Sequence, residues 1–439
     1  MAACPSLGRL YDQVLQCIDR EGIEFVVPAD DDIVQFDAQF LSDPDAAYNA
    51  LRAKKPVHRT VTPDGSPVWL VTRYDDVRAA LADPRLSLNK RNAGGGYQGF
   101  ALPPVLDANL LNMDAPDHTR LRLILGRGFT RARVEGLRPR IREITAELLA
   151  ALPDTGEVDL VEAFAAPLPI TVICELLGIS AEDRPDFRSW TDQMLAPARP
   201  EDVGIAVKSL WQYLLRLAAV KRANPGDDLI SALIEERDIG ERMSEEELIS
   251  ALFLILGAGY ENVVHQIGNG LAAVLTRPQI LARLREDHTL LSPTVDELVR
   301  FTSPAQLAIR RFPTVEVVIG GVTIPAGDTV MLSLASADRD PDRFPDPDVL
   351  DPNRAGSPHL GFGHGPHYCI GAPLARIEIE VGLAALLDRY PELALALPRD
   401  QLRWRPSFRN RGLLALPVRV GSLPSDSADD PPSTSTAAS

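Results

Sequence analysis

Cysteine is scarce: Cys4, Cys17, Cys174 and Cys369 are the four in 439 residues. No two are spaced as C-x-x-C and no secretory leader precedes them, so neither a disulfide framework nor a zinc ribbon is indicated and a reduced, cytoplasmic setting is expected. A long apolar run is missing from the start. Residues 1–25, MAACPSLGRLYDQVLQCIDREGIEF, interpose a polar or charged residue every few positions, whereas a bilayer anchor needs about 20 apolar residues in succession. Positive charge is also short. Lys and Arg number 45 against 61 Asp and Glu, a formal net charge of −16, which argues against nucleic acid as the main partner. Nucleotide loops are absent too: Gly94-Gly95-Gly96 fits neither G-x-x-x-x-G-K-[ST] nor G-x-G-x-x-G and follows no clear strand.

What is present reads as a globular chain able to bury a large core, with 45% hydrophobic and 24% charged residues. Helical periodicity dominates from about 116 to 302, as in IREITAELLAAL and EEELISALFLILGAG. Two strand-like runs flank the Pro63-Asp64-Gly65 turn, and residues 89–105 form a glycine-rich loop. Further strands follow near VEVVIGGVTIPAGDTVMLSLAS, then a Pro/Asp-rich stretch at 338–358 and a helix at about 372–390. The expected fold is mainly α with small β-sheets in a single large domain over 31–420, after an N-terminal extension at 1–30. A polar tail over 421–439 is expected to be disordered. Charge is uneven within this acidic chain. Eight arginines between Arg120 and Arg142 accompany one nearby acid, Glu135, a pattern that suits either a docking face for an acidic partner or a solvated helix pair.

The segment HLGFGHGPHYCIGAPLARIEIE, residues 359–380, concentrates the chemistry. Cys369 lies in a loop with Gly361, Gly363 and Gly365 before it and Gly371 after it, directly ahead of a helix. Glycines let backbone approach a flat ligand, and a helix start stabilises thiolate through its dipole and free N–H groups. A nucleophilic cysteine paired with His364 or His367 fits the same residue types.

Phe362-Gly363-His364-Gly365-Pro366-His367-Tyr368-Cys369-Ile370-Gly371 resembles the F-G-x-G-x-H-x-C-x-G haem-binding signature of the cytochrome P450 family. The resemblance implies that fold, with haem b between distal and proximal helices, Cys369 as the proximal iron ligand, Phe362 beside the sulfur and His367 at a propionate. Ala258 and Gly371 join the implied cofactor contacts. Glu297-Leu298-Val299-Arg300 is similar to the family's E-x-x-R, whose partner from the later meander is Arg354. His118 and Arg122, in MDAPDHTRLR, match a propionate-binding segment, and Arg311 matches a third propionate contact.

The central helix departs from the pattern. Ala258-Gly259-Tyr260-Glu261-Asn262 resembles A-G-x-[DE]-T with Asn262 in place of threonine, whose hydroxyl in the family helps hold water and deliver protons to dioxygen. An amide cannot rotate a hydroxyl proton into such a chain. Either Asn262 organises the water or the substrate completes the relay, with Glu261 supporting it. Small Gly257, Ala258 and Gly259 fit a helix opened over a flat cofactor. The resemblance further implies a pocket lined by Leu254, Leu307, Ala308, Phe408, Arg409 and Asn410, suited to a medium-sized, largely hydrophobic molecule of secondary metabolism with one polar anchor.

The implied activity is a monooxygenase that hydroxylates or epoxidises with O2 and electrons from a ferredoxin and its reductase. Oxidative coupling on the same haem, or a non-catalytic haem-binding sensor or recruitment module, are the other readings. A monomer with no membrane partner is expected, and the basic cluster falls on the face where the family's redox partner docks.

Overall fold

The structure, a computed structural model, describes residues 34–421 apart from 64, 98–101, 196–198, 239–242 and 355–357. The expected extension and nearly all of the expected tail therefore lie outside the described residues. The eight principal helices are α1 (Asp117–Gly126), α2 (Arg131–Ala150), α3 (Pro167–Leu177), α4 (Arg184–Leu195), α5 (Pro200–Ala223), α6 (Glu245–Leu275), α7 (Leu291–Thr302) and α8 (Ala372–Arg389).

The 31 residues of α6 begin at a capping box. Ser244 Oγ accepts from Glu247 N at 3.1 Å, while the Glu247 carboxylate accepts from Ser244 N at 2.9 Å. Glu245, Glu246 and Glu247 in the first turn also complement the helix dipole. Two helical stretches, Glu201–Ala223 and Glu245–Leu275, are long and apolar enough to cross a membrane. In the second, 67% of the apolar window is buried inside the protein, where it forms the centre of the core. Helices α3, α5, α7 and α8 pack around it.

The expected hairpin is β2 (Val57–Val61) and β3 (Pro67–Val71), paired antiparallel from Val57 opposite Val71 to Val61 opposite Pro67. It belongs to a four-stranded sheet with β1 (Val34–Gln35) and β4 (Val330–Leu332), each joined in parallel and ordered β1-β2-β3-β4. In a separate sheet Pro417–Val420 is the central strand, paired antiparallel with Gly156–Asp159 on one side and Ala394–Leu395 on the other. That pairing ties the end of the described chain to its middle, as one folding unit requires.

The Pro/Asp-rich stretch has little regular structure of its own and is held by α7. Glu297, 5% exposed, accepts from Arg300 Nε and Nη2, both at 2.7 Å, from Arg354 Nε at 3.1 Å and from Asp351 N at 3.0 Å. Burial alone would raise this carboxyl, but these partners outweigh it and hold it below the ordinary glutamate range. Arg300 also donates to the carbonyls of Asp338, Pro347 and Val349, and Arg354 to those of Pro345, Asp346 and Val349. The other E-x-x-R, Glu135 to Arg138, is a surface i,i+3 pair at 3.0 Å, with Arg138 also reaching Glu380 of α8 at 2.8 Å.

Glu297→Ala strands Arg300 in the interior and is expected to cost about 3–5 kcal/mol. Glu135→Ala should leave the unfolding midpoint nearly unchanged. Denaturant unfolding of both variants against the parent chain measures the contrast.

Candidate functional site

Just before α8, over residues 360–369, the chain makes a tight loop. Gly363 N donates to Leu360 O at 2.7 Å, Cys369 N to Phe362 O at 2.8 Å, and Tyr368 N to Gly365 O at 3.1 Å. Gly365 has φ 72, and a Cβ there would sit 3.1 Å from Ala82 Cα. A Cβ at Gly361 would meet Val299 Cγ1 at 2.7 Å. Close packing of the loop against its neighbours therefore requires glycine at both positions.

Cys369 emerges from this loop just before Gly371 caps α8. Its residue surface is exposed although the protein around the thiol is dense. Burial pushes the thiol up, while the N–H groups of Gly371 and Ala372 and the charges of Arg122 and Arg376 act to bring it down. Cys174, by contrast, is wholly buried and raised to about 12. Among the described residues Cys369 makes no hydrogen bond to His364 or His367, so the nucleophile–base arrangement is not built. The described residues also contain no cluster of three or more His, Cys, Asp or Glu able to hold a metal ion.

Around the thiol gather basic groups short of counter-charge. His118 and Arg122 share one face of α1, as their four-residue spacing dictates. Arg122 donates to Tyr368 O at 2.5 Å. The His118 ring lies 3.9 Å from that of His367, and His118 Nε2 is buried with no hydrogen-bond partner. Arg311, 3% exposed, donates to Leu86 O at 3.3 Å while its Nε has no partner. Burial lowers its guanidinium to about 10 even with Asp114 and Asp83 in range. His367 is lowered to about 3, first by burial and then by His118 and Arg311. Asp114, the acid nearest these groups, is already engaged by Ser87 Oγ and by Leu88 N at 2.9 Å. Orphaned buried donors of this kind fit a cofactor that brings carboxylates of its own. Phe362 is half-buried with the Arg376 guanidinium 4.6 Å from its ring.

On α6, Leu254, Ala258 and Asn262 recur every four residues and share a face. Ala258 is exposed in mid-helix between the half-buried Gly257 and Gly259, and Leu254 and Asn262 are half-buried. A Cβ on Gly259 would come within 3.0 Å of Ile173 Cδ1, so there α6 presses on α3. The helix stays α-helical through Gly257-Ala258-Gly259, and the opening comes from the small side chain at 258. Asn262 Oδ1 is buried without a partner. Glu261 accepts from Asn410 Nδ2 at 2.9 Å and lies 3.5 Å from His265 Nε2. His265 was not among the residues singled out from the sequence, although its i,i+4 spacing from Glu261 was the signal that could have found it.

The segments carrying the remaining expected pocket residues run side by side, with Ala305 bridged to Asn410. Leu307 and Phe408 pack in the apolar cluster of Phe36, Phe40 and Tyr48, with Phe408 5.0 Å from Phe36. Ala308 is half-buried and donates its N–H to Leu332 O at 2.9 Å, and Arg409 O accepts from Gln306 N at 2.8 Å. A cavity lined by Asn269, Arg300, Gln306, Trp404 and Arg411 contains only Arg300 of the expected site residues. The basic cluster is less bare than its charge count suggests. Arg120 pairs with Glu247 at 2.5 Å, Arg127 with Glu236, Arg138 with Glu380 and Arg140 with Glu175 at 2.9 Å. Arg131, Arg133 and Arg142 form no ion pair among the described residues.

The Cytochrome P450 family model matches residues 215–402. The chain is 47% identical over 384 residues to "Cytochrome P450 monooxygenase PikC" of Streptomyces venezuelae, covering 87% of this chain and 92% of that one. It is 40% identical over 376 residues to "Mycinamicin IV hydroxylase/epoxidase" of Micromonospora griseorubida, covering 84% and 94%. Among solved structures, the tirandamycin C-bound P450 monooxygenase TamI aligns with a TM-score of 0.84 and 42% identity, over 88% of this chain and 100% of that one.

Asp338 links the α7 network to the cysteine loop: its carbonyl accepts from Arg300 and its Oδ1 from Leu360 N at 2.6 Å, while Oδ2 has no partner. Complete burial raises its carboxyl from 3.8 to about 7. Between those values the folded chain keeps a proton that the unfolded chain releases, so this group makes stability fall as pH rises through that window and level off above it. Unfolding midpoints measured across the window should show a shallower fall for Asp338→Asn.

Proposed function

The chain belongs to the cytochrome P450 family, and from that premise we propose that Cys369 holds the haem iron while His118, Arg122, Arg311 and His367 hold the haem propionates. The protein is a haem-dependent P450 monooxygenase. The observation that carries the assignment is a surface-exposed cysteine at a helix start beside the buried His118 and Arg311, whose Nε2 and Nε have no hydrogen-bond partner among the described residues. Two propionates supply the missing counter-charge and give His118 Nε2 and Arg311 Nε an acceptor. The N–H groups of Gly371 and Ala372, with the dipole of α8, favour the thiolate against the burial that opposes it. When bound, haem supplies the iron at which dioxygen is activated, and thiolate ligation favours O–O cleavage.

The face of α6 bearing Leu254, Ala258 and Asn262 lies over the reacting centre in this reading. Glu261 supplies protons, and the unpartnered Asn262 Oδ1 accepts from water or from a donor on the substrate. The substrate is a medium-sized, largely hydrophobic molecule of secondary metabolism with a polar anchor, hydroxylated or epoxidised; the activities for which the relatives are named support that chemistry. Asn262, which lacks the hydroxyl of the usual threonine, favours a second reading in which an oxidised substrate is coupled without gaining oxygen. A ferredoxin supplies the electrons, with Arg131, Arg133 and Arg142 as the cations of α2 open to an acidic partner.

The reduced, carbon-monoxide-bound protein should absorb at about 450 nm, and Cys369→Ala should lose that band. A band at about 420 nm in freshly prepared folded protein counts against thiolate ligation. With ¹⁸O2, labelled product indicates insertion, and unlabelled product of altered connectivity indicates coupling.

A further inference from the structure

The geometry points to His265 as the positioning residue that, together with Asn410, orients the carboxylate of Glu261 beside Asn262. This rests on the reading of Glu261 as a proton-supplying group. Glu261 and His265 occupy successive turns of one face of α6, and His265 Nε2 lies 3.5 Å from Glu261 Oε1. The other carboxylate oxygen, Oε2, accepts from Asn410 Nδ2 at 2.9 Å. The two oxygens therefore face two different neighbours, one on the same helix and one from the chain near the end of the described residues. Arg405 Nη1 stands farther off, 3.9 Å from Oε1.

His265 is 2% exposed, and its Nε2 has no hydrogen-bond partner among the described residues. A polar atom so placed is costly unless something answers it, and Glu261 is the charged group it faces. The imidazole is also held from behind. An ideal Cβ on Gly412 would fall 2.1 Å from His265 Nδ1, so the backbone at 412 lies against the ring. That backbone is fixed in turn by Arg405 N donating to Gly412 O at 2.9 Å. Segment 405–412 thus contributes Asn410 to one carboxylate oxygen and a wall to the histidine facing the other.

The role follows from the carboxylate's two tasks. Each dioxygen reduced by two electrons takes up two protons, and a group that passes them must return to one orientation between transfers. The Asn410 Nδ2–H hydrogen bond on Oε2 and the His265 Nε2 facing Oε1 at 3.5 Å are what return it. An apolar side chain at 265 would leave Oε1 free to rotate away from Asn262.

The test uses the holoenzyme with a [2Fe–2S] ferredoxin, its reductase and NADPH, without added substrate. His265→Leu should slow dioxygen consumption about tenfold, the scale on which losing the partner of a working group is usually felt. It should also raise the solvent deuterium isotope effect and shift the C–O stretch of the reduced carbon-monoxide form. His265→Gln, whose amide can still donate to Oε1, should restore most of the rate and the original stretch. Unchanged consumption and stretch in His265→Leu overturn the inference. If that variant lacks the band near 450 nm, His265→Phe and Gly412→Ala carry the same expectation, the second by displacing the ring with residue 265 intact. Glu261→Gln separates the layers: if it leaves consumption unchanged, the reading of Glu261 itself fails, whereas a slow Glu261→Gln beside a normal His265→Leu refutes only the role of His265.

Discussion

The carboxylate of Glu297 stays ionised in the interior because two guanidinium groups and a backbone N–H close on it. The same two arginines make six hydrogen bonds to five carbonyls of the Pro/Asp-rich stretch, which has few backbone ladders of its own. Through the carbonyl of Asp338 the network reaches the residue whose side chain receives Leu360 N, at the head of the cysteine loop. An ion network of this kind is weak as net stabilisation but strong as a constraint, since breaking any member strands a charge. Here the constraint sets where the thiol emerges.

At the thiol the balance is reversed. Arg311, His118 and Arg122 are placed in or beside the interior with too few carboxylates to answer them, and the protein alone pays for that in lowered basicity at each. In the proposed reading, a cofactor carrying two carboxylates converts that deficit into binding energy. The interior of α7, by contrast, supplies its own counter-charges.

Helix α6 divides its faces between packing and the residues of the proposed site. Gly259 lets α6 approach Ile173 of α3, and Ala258 leaves an opening on another face. Glu261 and Asn262 stand next to each other in sequence with opposite situations: the carboxylate meets Asn410 and His265, while the amide oxygen meets nothing. In the proposed reading, asparagine at 262 leaves an acceptor open toward substrate or water, with Glu261 held beside it by Asn410.

The sequence by itself determined whatever is local. The cysteine loop was legible because its glycines, its histidine and its thiol lie within ten consecutive residues, and α6 because helical periodicity is encoded within a few turns. His118 and Arg122 were legible as a pair from helical spacing. Only the tertiary structure decided which distant groups meet them. The basic run from Arg120 to Arg142 read as nearly uncompensated, yet Glu175, Glu236, Glu247 and Glu380 reach it from other helices. Leu307 and Phe408 carried no mark of the Phe36 cluster they pack into, and Asn410 none of its bond to Glu261 across 149 positions. The reason is physical: a spacing of three or four residues fixes a helix face before the chain folds, whereas a contact across the chain depends on how every intervening element packs.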